Sequence, residues 1–208
     1  MDTVGLFYVG AVLFINGLML LERVDAKSAA IFNLFVGALQ TITPLYLIMT
    51  AGENPWLIFS ASGILLFGFT YLYVGIVTLL NIDTNGIGWY SLWVAIAACS
   101  HAGVNMIYFK NIKFGIIWLM WAFLWLLFFL LLGLKKDIRR FTGWVTLIIS
   151  WFTATIPAFL ILINAWGIVS NALFAVFALL LVIWFVYLYF KRGTDSKKPS
   201  MRYNAPTG

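Results

Sequence analysis

The chain has 208 residues, of which 63% are hydrophobic, 18% aromatic and only 10% charged, with a mean hydropathy of +1.00. A water-soluble domain carries about 25% charged residues, so this composition excludes a soluble enzyme and leaves one compact all-α bundle in a bilayer. The net charge of +6 is not a nucleic-acid footprint, because the basic residues gather at the ends of apolar runs.

Those runs predict seven membrane spans at about 4–21, 29–50, 57–80, 87–109, 114–134, 142–166 and 168–190. Asp2 stands where a cleavable signal needs positive charge, and no small-residue cleavage motif precedes Glu22 and Arg23, so the first span is expected to stay. The fifth run, Phe114–Leu134, has no charged or hydrogen-bonding side chain except the indoles of Trp118, Trp121 and Trp125. At ~1.5 Å per residue it covers roughly 30 Å, the hydrocarbon thickness. The three indoles fall within an arc of about 60° on one helix face. Trp121 and Trp125 lie near mid-membrane, where an unpaired N–H is costly, so this face is expected to meet protein or a lumen rather than lipid tails. The junction of spans six and seven, near Asn164–Gly167, is the least defined. The tail from Lys191 is polar and basic and is expected to be a disordered cytoplasmic segment. The expected organisation is a six-helix bundle over 1–166, an additional transmembrane helix over 167–190, and the tail over 191–208.

With the N-terminus outside, Arg23, Lys27, Lys135, Lys136, Arg139, Arg140, Lys191, Arg192, Lys197, Lys198 and Arg202 lie inside, and Lys110 and Lys113 outside. Eleven against two fixes an N-out, C-in topology with an odd number of spans.

No Asp, Glu, Lys or Arg falls within a predicted span, which argues against a proton relay, an ion site or a retinal-type Schiff base. His101 is the single histidine, and Cys99 the single cysteine, so no disulfide, metal or cofactor is expected and no acid–base pair for an intramembrane enzyme. His101 reads first as a packing residue. The polar groups inside the spans are neutral: Asn16, Asn33, Gln40, Thr41, Thr43, Thr70, Tyr71, Tyr73, Thr78, Ser91, Asn105, Thr146, Ser150, Thr153 and Thr155. Phe67, Thr70 and Tyr71 share a face of the third span with Gly63, and Leu6 and Leu13 share one of the first with Gly10 and Gly17. Pro44 and Pro157 each free a carbonyl, tolerable only inside protein or beside water. Flat rings, hydroxyls and freed carbonyls suit a small, planar, neutral solute and offer nothing to replace an ion's water shell. The residues alone leave two readings open, a passive conduit and a structural protein whose basic inner rim recruits a soluble partner or anionic lipid.

The chain resembles the AmiS/UreI family of urea and short-chain amide channels, found beside bacterial ureases and amidases. The resemblance rests on Leu6–Gly10, Asn16-Gly17, Val24–Ser28, Asn33–Gly37 and, most strongly, Leu65–Tyr73. Trp89–Leu92, Ile116–Leu119 with Trp121 and Trp125, and Ile156–Ala158 complete it, in order over residues 1 to about 165. It implies a six-helix pore in each protomer, a ring of six protomers in the bacterial cytoplasmic membrane, and a solute of urea or short-chain amides. It also implies pore constrictions built from Leu6, Leu13, Phe67, Tyr71, Trp118, Trp121 and Trp125; the facing argument adds Thr70. A cytoplasmic urease or amidase is the partner it suggests. Three departures stand out. The acid-gated member has a long His-rich loop after its second helix, where this chain has Ala51–Pro55, so no steep acid gate is expected. A carboxylate on that member's sixth helix aligns with Ile149, beside Ser150, which makes amide selectivity plausible. The seventh span lies outside the resemblance and is expected to be peripheral, facing lipid or a neighbouring subunit.

Overall fold

A computed structural model describes residues 2–195, and every regular element in it is helical. Seven helices are long and apolar enough to cross a bilayer. They are α1 (Asp2–Leu20), α2 (Ala26–Thr50), α3 (Pro55–Leu80), α4 (Asn85–Ile107), α5 (Ile112–Gly133), α6 (Arg139–Leu162) and α7 (Asn171–Asp195). Most begin a few residues earlier than hydropathy predicts, because polar caps draw the first turn outward. Asp25 accepts from the N–H groups of Lys27 and Ser28 at 2.9 and 3.0 Å, and Asn54 from those of Trp56 and Leu57 at 3.1 Å. Pro55 then occupies the first turn of α3, where a missing N–H costs nothing. Between successive helices the chain turns through one left-handed residue each time: Glu22, Gly52, Asn81, Lys110, Lys135 and Asn164.

α1 to α6 pack in chain order, and α1 closes the circle against α6. The circle is closed by near backbone contact. A Cβ on Gly10 of α1 would meet Thr155 of α6, with the Thr155 nitrogen at 2.8 Å. Between α4 and α5, a Cβ on Gly88 would fall on Gly133, with the Leu132 carbonyl carbon at 2.7 Å. Backbone cannot retract as a side chain can, so Gly88→Ala is expected to cost about 1–3 kcal/mol. A lowered melting temperature of the purified protein in detergent checks this. Asn16 and Asn33 join α1 to α2 by exchanging amide hydrogen bonds of 2.9 and 2.7 Å, while Asn33 also donates to the Ala29 carbonyl at 2.8 Å. Neither amide is left bare in the bilayer.

The sixth span is not uniform. Ser150–Thr155 is wound as π-helix just before Pro157, whose ring nitrogen cannot donate to the carbonyl of Thr153. The helix ends at Leu162, so Trp166 lies in the connector and not in the span as predicted. Asn164 turns left-handed there and ends the helical run.

α7 leans on the outside of α5 and α6. Phe185 stacks on Phe123 of α5, and Phe174 on Phe152 of α6 at 4.7 Å. At its leading end Lys113 donates 2.8 Å hydrogen bonds to the carbonyls of Trp166 and Val169 and sits 4.2 Å above the Trp166 ring. Only 17% of its most apolar window is buried, as a peripheral helix requires. The helix runs on to Asp195, past its expected end at 190, because Lys191 and Arg192 are good helix formers. The remainder of the predicted tail lies outside the described residues.

Candidate functional site

The third helix carries Phe67 to the middle of the six-helix circle, and the fifth carries the indoles to meet it. Phe67 lies 4.7 Å from Trp121 in an edge-on contact and 4.7 Å from Trp125 in a tilted one. Trp118 and Tyr71 stand at 6.0 and 6.1 Å. Such offset and edge contacts match the positive ring edge to the negative face. All five rings are buried. The mid-membrane N–H of Trp121 is satisfied by the Thr153 hydroxyl of α6 at 2.9 Å, and that hydroxyl donates on to the Ile149 carbonyl at 2.7 Å. The Trp118 and Trp125 N–H groups have no protein acceptor among the described residues. The Tyr71 hydroxyl is buried and unpaired.

Above this knot, on the side of the N-terminus, lies a cavity of about 220 Å³. A bulk water occupies about 30 Å³, so several waters or one small solute fit. Its floor is Phe67, Trp118 and Trp121; its wall includes Leu6, Gln40, Ser60, His101 and Asn105. Among the described residues of that wall His101 is the one titratable group, and none of them is Asp, Glu, Lys or Arg. The imidazole is sandwiched between Phe59 at 4.3 Å and Trp118 at 4.4 Å, nearly parallel to both. Gly63 makes the stack possible, since a Cβ there would sit 2.8 Å from His101 Cε1 and 3.0 Å from Trp118. His101 is thus a packed wall residue.

Of the residues expected at the constriction, Phe67, Tyr71, Trp118, Trp121 and Trp125 come together, and Leu6 lines the cavity above them. Leu13 is buried in the same core below. Thr70 is turned aside: its hydroxyl donates to the Leu66 carbonyl at 2.6 Å and lies beside Tyr90 of α4, outside the cavity wall. Ile149 is fully buried, and Ser150 donates to the Leu147 carbonyl at 2.6 Å. Gln40, Asn105 and Phe59 were not expected in the site. Gln40 and Asn105 stand out in sequence only as amides within apolar runs, and Phe59 carries no local sign of its position.

A closed circle of helices around an uncharged, partly polar chamber defines a multi-pass membrane channel or transporter. Within that class the sequence matches the AmiS/UreI family transporter profile over residues 1–165, and the chain belongs to this family. It is 52% identical over 163 residues to the AmiS2 protein of Rhodococcus erythropolis, assigned as a transporter, covering 78% of this chain and 79% of that one. It is 35% identical to the acid-activated urea channel of Helicobacter pylori over 189 aligned positions, 77% of this chain and 97% of the other. The cryo-electron microscopy structure of the Helicobacter pylori urea channel in its closed state superposes with a TM-score of 0.73 over 80% of this chain and all of that one, at 35% identity.

Proposed function

We propose that this protein is a passive channel for short-chain aliphatic amides and urea in the bacterial cytoplasmic membrane. The carrying observation is the chamber ending on Phe67, Trp118 and Trp121, with no formal charge among the described residues of its wall. A planar amide slides between ring faces, while hydroxyl and amide groups exchange hydrogen bonds with it weakly enough to let it leave. The rim of Arg23, Lys135, Lys136, Arg139 and Arg140 faces the cytoplasm, so the chamber opens outward. Family resemblance supports six such protomers in a ring and a cytoplasmic urease or amidase that consumes the solute. Stopped-flow swelling of proteoliposomes in acetamide, urea and glycerol tests the reading: acetamide and urea entry accelerate over empty liposomes, and glycerol entry does not. No acceleration for any amide would favour the partner-recruiting alternative, and dependence on a proton or sodium gradient would replace the channel by a coupled carrier.

The relative from Helicobacter pylori is acid-activated; this chain is proposed to lack a steep acid gate. Its single histidine is locked between Phe59 and Trp118, and Ala51–Pro55 offers none at the outer surface. One titrating site cannot produce a cooperative switch. Amide entry is therefore expected to change by less than about twofold between pH 7 and pH 5, and a severalfold rise on acidification overturns this.

A further inference from the structure

The geometry points to His101 as the group that recognises the solute carbonyl in the outer chamber, through a ring N–H that no protein group occupies; this rests on the channel reading. Phe59 at 4.3 Å and Trp118 at 4.4 Å cover the two faces of the imidazole, and Gly63 receives its Cε1. The residue lies on the inward face of α4 with Val94, Ala95 and Ala98, and the 7% of its surface left open borders the chamber, not lipid. No group among the described residues bonds either ring nitrogen. Neither nitrogen is occluded: the fully buried unpaired side-chain atoms belong to Gln40, Tyr71 and Thr142. A polar ring atom in a bilayer needs a partner, and here the chamber is the side from which one can come. Packing alone does not call for nitrogen at this place. A phenyl ring would fill the slot between Phe59 and Trp118 and leave no polar atom to satisfy.

Asn105, one turn further along α4 and also in the wall, provides the complement. Its Nδ2 is committed to the His101 carbonyl at 2.9 Å, which leaves Oδ1 as an acceptor. A neutral imidazole offers one N–H donor, and no carboxylate stands among the described residues of the wall to hold it as a cation. The ring N–H and the Asn105 oxygen match the C=O and NH₂ ends of a primary amide. The stack on Trp118, part of the chamber floor, fixes the depth and plane at which that N–H is offered. Ring stacking alone recognises flatness and does not distinguish a carbonyl from a thiocarbonyl of the same shape. The imidazole donor does, because sulfur is a weak acceptor.

The test is a cycle of two proteins and two solutes in proteoliposomes. His101→Phe keeps an aromatic ring between Phe59 and Trp118 and removes both nitrogens. Acetamide entry above the rate of empty liposomes is expected to fall by about fivefold, the loss of one ordinary hydrogen bond, with thioacetamide entry changed by less than about twofold. An acetamide-to-thioacetamide ratio equal to the parent's, in a parent that conducts acetamide, makes His101 a packing residue only and leaves the channel intact. A parent that accelerates neither solute removes both. A second measurement needs no variant and decides the matter if His101→Phe does not assemble. His101 is the single histidine of the chain, so isotope labelling of histidine nitrogen in the full protein, purified without a histidine tag, gives ring resonances from this residue alone. Acetamide is expected to shift them and glycerol is not. Ring resonances unmoved across the acetamide range that drives entry overturn the assignment.

Discussion

Trp121→Ala is expected to abolish most discrimination between acetamide and glycerol, raising glycerol entry by about tenfold, a plausible yield for a changed slot wall. The indole is the floor of the outer chamber and touches Phe67 at 4.7 Å and Trp118 at 5.0 Å. It is also tied across to α6 through Thr153. Neighbouring rings cannot swing in to fill its place, because Phe67 is also held by Trp125 and Trp118 is stacked on His101. The gap stays open, and bulkier non-planar solutes pass. Trp125→Ala is expected to act in the same direction from the far side of Phe67. Measured by stopped-flow swelling, unchanged acetamide, urea and glycerol entry in both variants removes the indoles from the permeation path.

The second large effect is expected at Phe67. Truncating a buried Phe to Ala costs about 3–5 kcal/mol in water-soluble cores. The share due to lost packing carries over to a bilayer, where van der Waals contact drives helix association. Phe67 contacts four rings from two helices, so Phe67→Ala is expected to lower the melting temperature more than Gly88→Ala does. It also removes the partition between the chamber above and Tyr71 and Trp125 below. Entry of water and glycerol is expected to rise together. Lost stability with parental permeation would make Phe67 a packing residue only.

Much of this architecture is written in local pattern. Seven spans follow from apolar length, and the common face of Trp118, Trp121 and Trp125 from helical spacing. Their convergence on Phe67 is a tertiary fact, legible only through the family resemblance. Thr70 shows why: its position in the turn matches Phe67 and Tyr71, but a Thr in an apolar helix satisfies its hydroxyl on the carbonyl four residues back. That turns it from the chamber toward Tyr90. Gln40 is visible as an amide in an apolar run, yet the burial of its unpaired nitrogen depends on close packing against Gly5 of another helix. The sandwich of His101 needs Phe59 and Trp118, far apart in the chain. The π-helical stretch at Ser150–Thr155 is signalled by Pro157 only in hindsight, since Pro44 sits in α2 without such winding.

The seventh helix is fastened by an ammonium group. Lys113 spends two of its donors on carbonyls of the linker that leads into α7, and the Trp166 ring covers it. A protein shortened at Leu162 would keep that cation at the lip of the bundle with neither oxygen nor ring to receive it. The final helix is therefore no detachable appendage, because its removal would reach back into the root of the tryptophan-bearing fifth helix.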